Sequence, residues 1–226
     1  EMALRLGAAD YILKPITAGV VRARVDMQIE LEVYRKRLEQ LVERKTQQLR
    51  NTQDSILDIL ANVTAWRDSG TGGHITRTTS YSQLIVQCLQ RKGNPNYIVS
   101  PSYGESIIKT AKLHDIGKVA ISDSILLKPG RLTPEEFGEI KKHTTYGAQM
   151  IDDAIADLGD ESSFLHVARE IVISHHEWWD GSGYPKGLKG NDIPISGRIM
   201  AISDIYDSLT SERPYKGAMC HDEAMA

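Results

Sequence analysis

The chain has 226 residues, enough for one good-sized core or two smaller ones. Its 27 basic and 30 acidic residues leave a formal charge of −3, which argues against DNA binding or attachment to a membrane surface. No apolar run approaches bilayer length, no signal peptide opens the chain, and Cys88 and Cys220 lack metal-type spacing, so a cytoplasmic protein without a disulfide framework is expected.

In chain order, the run from Leu6 to Ile16 is β-like and closes on Lys14-Pro15. It resembles the last strand and final loop of a two-component receiver domain, whose lysine before the proline contacts the phosphorylated aspartate. That resemblance implies an upstream histidine kinase as partner, and both ends of the chain read as cut. From Thr17 to Arg67 there is no proline and only Gly19, among many Leu, Glu, Gln, Arg and Lys residues that favour helix. Leu31, Leu38 and Leu41 start one heptad-like stripe, and Val42, Leu49, Ile56 and Val63 form another. A long signalling helix pairing with its copy in a homodimer is expected, although a helix lying on its own domain would carry a similar pattern.

Next come four helices that carry histidines. His74 follows a glycine loop and opens a helix in which Tyr81 and Cys88 recur at heptad spacing. Arg91 to Gly104 reads as a long connection, able to form a flap. In the following helix Ile107 and Ala111 point inward with His114, Asp115 follows directly, and Gly117 is expected to end the helix. Thr133, Pro134 and Glu136 read as N-cap, first-turn proline and capping-box glutamate, and Phe137 and Ile140 lead at helical spacing to His143. Ala168, Ile171 and Val172 lead in the same way to His175 and His176.

Each of these histidines takes a position where an apolar core residue is expected. A hydrogen-bonded core histidine explains any one of them. Four helices doing so, with Asp115 beside His114, point to a shared metal centre. The last helix has the apolar stripe Ile195, Ile199, Ile202, Tyr206 and Leu209. With Met200, Ala201 and Ile205 it is apolar nearly all round, so burial is expected and its Asp204 needs a cation. Asp207 is expected to serve a local hydrogen bond or a cap. His166 and His221 have no such placement.

His114-Asp115-Ile116-Gly117-Lys118, His175-His176-Glu177 and Asp180 to Gly183-Tyr184-Pro185 stand in order with Ile125 to Gly130, Lys142-His143 and Ser203 to Lys216. From about Asn62 to Lys216 the chain therefore resembles the HD-GYP domains, a branch of the HD metal-dependent phosphohydrolases. The resemblance implies an all-α fold, an HD-type helical bundle around a dinuclear metal centre, with phosphodiesterase activity on cyclic dinucleotides, typically cyclic di-GMP. Its ligands would be His74, His114, Asp115, His143, His175, His176 and Asp204, with Asp115 bridging. Gly70 stands where members with a third metal carry glutamate, so two divalent ions are expected, iron or manganese ahead of zinc or nickel. The resemblance further implies that Asp115 and Lys118 serve the reacting phosphate and that Arg213 and Lys216 grip the other one. Gly183, Tyr184 and Pro185 would contact the substrate or protein partners, whereas Trp178 and Trp179 read as packing ahead of stacking on a base.

The expected organisation is a receiver remnant over residues 1–18, a linker and dimerisation helix over 19–65, and a phosphohydrolase domain over 66–226 that runs short at its C-terminus. The expected function is a response-regulator output enzyme that opens cyclic di-GMP to the linear dinucleotide and onward to GMP. The alternative is a catalytically weak sensor of the dinucleotide, acting through partners at the Gly183-Tyr184-Pro185 loop. A generic HD nucleotidase would share the metal corner but leave that loop unexplained.

Overall fold

The helix-forming composition from Thr17 onward carries through into one continuous helix, α1 (Ala18–Arg67). The structure, a computed structural model, describes residues 7, 10–12, 14–67, 73–93, 98–158, 163–212 and 217–226. All regular elements among them are α-helices or 3-10 turns, and the fold is all-α as expected. The chain divides into two units, residues 1–53 and 54–226.

In the first unit, Arg24 Nη1 lies 2.7 Å from Asp10 Oδ1. Arg35 bonds Glu32 and Glu39 one turn either way along α1, exposed pairs that add little to stability. The β-like expectation for Leu6 to Ile16 is not met: Gly7, Asp10 to Ile12 and Lys14 to Ile16 form no strand, and Leu6, Ala8, Ala9 and Leu13 lie outside the described residues. An extended segment needs a ladder partner, and none of the described residues supplies one. Leu31, Leu38, Leu41, Val42 and Leu49 are all exposed.

The second unit takes in the end of α1, where Leu57, Ala61 and Thr64 are buried. It continues through α2 (His74–Lys92), α3 (Pro101–Thr110), α4 (Asp123–Leu126), α5 (Pro134–Lys141), α6 (His143–Leu158), α7 (Ser163–Ser174), α8 (Ile195–Thr210) and α9 (His221–Met225). Helix α7 is central. One side packs Ile171 with Val86, Ile107, Ile199 and Met200, and the other packs Ala168 and Val172 with Leu57, Leu113 and Ile151. Each buried isoleucine contributes about 2 kcal/mol. Arg67 ties the end of α1 to the chain before α4, donating to the Val119 and Ile121 carbonyls and pairing with Asp123. Among the described residues no helix is long and apolar enough to cross a membrane.

Three expectations about helix packing need correcting. First, α3 stops at Thr110 and tightens into a 3-10 turn, Ala111–Leu113, that His114 caps; a second 3-10 turn runs Ile116–Ala120. Gly117 does not end a helix. It lies buried in that second turn, where a Cβ would fall on the His143 carbonyl oxygen and 2.5 Å from Gly147 N. Backbone cannot yield as a side-chain tip can, so Gly117→Ala is expected to cost about 3 kcal/mol in urea unfolding of chelator-treated protein. A change near zero would contradict this close approach.

Second, the Thr133 capping box forms as read, but α5 ends at Lys141 and His143 begins a new helix. Phe137 is 46% exposed, so the stripe leading to His143 is not a core face. Third, α8 is not buried all round: Ile202 and Ile205 are exposed, and of the expected stripe only Ile199 is buried. Its buried face is Ser196, Gly197, Ile199, Met200, Ser203 and Asp207. Small residues win there because α8 lies close on α7, with a Gly197 Cβ falling on Ser174 Oγ.

Candidate metal centre

The helix ends of the second unit converge. His74 is the first residue of α2, His114 and Asp115 follow α3, His143 is the first of α6, His175 and His176 follow α7, and Asp204 projects from α8. Their donor atoms fall into two groups that could each hold a metal ion, Asp115 with His143, His175 and His176, and His74 with His114 and Asp204. Within each group the donors lie within 4.8 Å of one another.

The main chain orients the rings. Nδ1 of His114 lies 2.9 Å from the Ala111 carbonyl oxygen, Nδ1 of His143 lies 2.7 Å from that of Ile140, and Nδ1 of His175 lies 3.1 Å from those of Ile171 and Val172. A carbonyl only accepts, so each Nδ1 carries the proton and donates it, leaving an Nε2 lone pair facing inward. Nε2 of His143 and of His175 are 3.4 Å apart, as are those of His74 and His114. Lone pairs so placed repel unless a positive charge lies between them.

Asp115 stands between the groups. Its Oδ2 is 2.7 Å from Lys118 Nζ and 3.3 Å from His114 Nε2. Its Oδ1 is 3.4 Å from His143 Nε2 and 3.8 Å from His175 Nε2, is buried, and has no hydrogen-bond partner. An orphaned carboxylate oxygen facing imine nitrogens fits a cation and fits little else. Burial pushes the His175 imidazole down to about 3 and His176 to about 2, and neighbouring imidazoles act in the same direction. Burial also lowers His143. These rings are therefore neutral, the form in which an imidazole can bind a metal. Burial alone would raise the Asp115 carboxyl, but the Lys118 ammonium and His114 hold it well below the usual carboxylate range.

The glycine loop after α7 folds back on the centre. A Cβ on Gly183 would come 2.5 Å from the His176 carbonyl oxygen and would fall on Trp178 N, so glycine permits the turn. Tyr184 N–H donates to that carbonyl at 3.1 Å, and the Tyr184 ring lies 4.8 Å from the His176 ring, with Lys141 Nζ 5.1 Å above it. Pro185 is exposed. Trp178 and Trp179 are 55% and 58% exposed, so neither is packed into the core in the way expected of them. Trp179 instead has the Arg198 guanidinium 5.8 Å from its ring, a cation held against an aromatic face at the surface. Arg213, Lys216, Gly70 and residues 94–97 lie outside the described residues. His166 and His221 are exposed and apart from the cluster, as expected.

Two carboxylates matter more than their sequence context suggested. Asp207 is 1% exposed, and its bonds are not local: it accepts from His74 and Arg77 of α2. Glu177 is 3% exposed, and its oxygens accept the Lys186 and Leu188 N–H groups at 2.7 and 2.9 Å. An acidic residue just before a loop of otherwise unpaired N–H groups was the available signal. Glu177→Ala is expected to lower stability by about 3 kcal/mol in denaturant unfolding, because two N–H groups lose a charged acceptor. Glu177→Gln should recover part of that loss, and an unchanged midpoint in both variants would show that Glu177 does not hold the loop.

The HD domain family model matches residues 74–226. The whole chain is 40% identical to a probable cyclic di-GMP phosphodiesterase of Vibrio cholerae, of which it covers 53%. It is 35% identical over its whole length to the cyclic di-GMP phosphodiesterase response regulator RpfG of Xanthomonas campestris, of which it covers 58%. Over 74% of its length it is 40% identical to 3'3'-cGAMP-specific phosphodiesterase 2 of Vibrio cholerae, of which it covers 30%. The chain thus spans about half the length, or less, of these relatives.

Proposed function

The chain belongs to the HD domain family, and from that premise we propose that it is the hydrolytic part of a cyclic dinucleotide phosphodiesterase. Cyclic di-GMP is the proposed substrate, opened to the linear dinucleotide and then cleaved to GMP. One observation carries this reading: the buried, unpartnered Oδ1 of Asp115 among the Nε2 atoms of His143 and His175. The names of the relatives support the substrate class.

His74, His114, Asp115, His143, His175, His176 and Asp204 would hold two divalent ions, iron or manganese ahead of zinc or nickel, with Asp115 shared. Such ions supply Lewis acidity to a water molecule and neutralise charge on the phosphate. The chain's own part is preorganisation. Main-chain carbonyls fix the Nδ1–H groups of His114, His143 and His175, so little reorganisation accompanies substrate entry. Lys118 balances Asp115 and presents its ammonium to a non-bridging phosphate oxygen. Burial raises the Tyr184 phenol, with the Asp115 charge acting in the same direction, so Tyr184 stays neutral and donates to bound substrate. Arg213 and Lys216 hold the second phosphate.

In the same reading residues 1–18 end a receiver domain that answers to a histidine kinase, 19–65 relay its state, and 66–226 carry the chemistry in the cytoplasm. The exposed stripe on α1 supports pairing with a second copy. Gly183, Tyr184 and Pro185 serve the substrate and also offer a surface to protein partners. The test is chromatography of products from cyclic di-GMP, 3'3'-cGAMP and linear dinucleotide after metal loading. Linear product and then GMP from cyclic di-GMP is expected. Faster turnover of 3'3'-cGAMP would reassign the substrate, and no hydrolysis of any of the three would overturn the reading.

A further inference from the structure

The two halves of the centre are built differently. His114, His143 and His175 each give their Nδ1 proton to a neutral main-chain carbonyl. His74 instead lies with Nδ1 2.8 Å from Oδ2 of Asp207, an ionised carboxylate on another helix. Arg77 engages both oxygens of that carboxylate, Nε on Oδ1 and Nη2 on Oδ2 at 3.0 Å. The side chain of Asp207 is 2% exposed and that of Arg77 36%, so the pair is sealed at the carboxylate and open at the guanidinium. Gly73 leaves room for it, since a Cβ there would come 2.6 Å from Arg77 Nη1. The first turn of α2 carries no acidic residue of its own, and a cation gains nothing from a helix N-terminus. Asp207, brought in by α8, is what holds Arg77 there.

A carboxylate accepting from Nδ1–H makes the opposite nitrogen of an imidazole a stronger donor and fixes the ring plane. Arg77 keeps that carboxylate ionised and in one orientation. We propose that Asp207 and Arg77 are a positioning pair that sets the metal affinity of the His74–His114–Asp204 site separately from the Asp115–His143–His175–His176 site. This rests on the reading of both groups as metal sites. Asp207 belongs to neither donor group, and both its oxygens accept from His74 or Arg77.

The test titrates metal-stripped protein with Mn2+, follows the free ion by electron paramagnetic resonance, and fits two sites. His74→Ala identifies the site to which His74 belongs. The near-isosteric Asp207→Asn is expected to weaken that same site about 10- to 100-fold and the other by less than about threefold. Arg77→Met, at a partly exposed position, is expected to weaken it in the same direction by a smaller factor. Asp207→Asn added to His74→Ala is expected to change nothing further, since the pair acts through His74. Equal weakening of both sites, unchanged affinity in Asp207→Asn, or a further loss in the His74→Ala background would overturn the inference while leaving the metal reading standing. Wild-type protein that binds fewer than two Mn2+ would overturn the metal reading itself, and the inference with it.

Discussion

Asp115→Ala is expected to empty the centre of metal and to lower kcat/KM on cyclic di-GMP by about 1,000-fold or more, since the anionic donor that links the two ligand groups is lost and the Lewis acidity of the ions goes with it. The expectation follows from position. Asp115 is the residue whose two oxygens address both ligand groups, Oδ2 toward His114 and Oδ1 toward His143 and His175. Its removal takes the anionic donor from one group and leaves the other without its link. The fold should survive, because Asp115 is held by ionic contacts and packs no apolar surface of the core. Elemental analysis and circular dichroism of the same preparation separate the two effects. His114→Ala should behave alike. Metal retained at two per chain in Asp115→Ala, or activity within tenfold of wild type, would remove the carboxylate from its assigned place.

The second large effect is expected at Lys118. Lys118→Met should keep both metals and lose about 100-fold in kcat, a loss comparable to that of one transition-state hydrogen-bond donor. The ammonium lies 2.7 Å from Asp115 Oδ2, so two roles compete: balancing the carboxylate in the resting protein and stabilising the phosphate as its charge develops. They separate experimentally. If Lys118 only balances Asp115, the variant loses metal affinity in step with activity. If it serves the phosphate, metal stoichiometry stays at two while kcat falls. Lys118→Arg should restore charge but not geometry, because the planar fork differs from a compact ammonium. Its recovery is therefore expected to be partial.

Much of this was legible in the sequence, for physical reasons. Ahead of His114 and His175, apolar residues stood three or four and seven positions back, and that spacing places Ile107, Ala111, Ala168 and Ile171 on the same side as those imidazoles. The Thr133 capping box announced its own helix start. Where reading failed, tertiary contact overrode pattern. Gly117 looked like a helix terminator because glycine commonly is one, whereas backbone pressing on backbone is invisible to local sequence. Helix α8 looked buried because its isoleucines are numerous, yet half of its buried face is serine and glycine. Asp207 looked local because its partners, His74 and Arg77, are more than a hundred residues away in the chain. Hydrophobic period identifies which side of a helix is apolar; it does not identify which side a neighbour can approach most closely.

The most direct test adds metal back to chelator-stripped protein, one equivalent at a time, and follows the initial rate of cyclic di-GMP hydrolysis with bound metal measured in the same samples. Asp115 links both ligand groups, so activity should stay near zero through the first equivalent, rise with the second, and saturate at about two per chain. Full activity at one equivalent, hydrolysis by stripped protein, or two tightly bound metals with no product would contradict the assignment of this centre as a dinuclear phosphodiesterase.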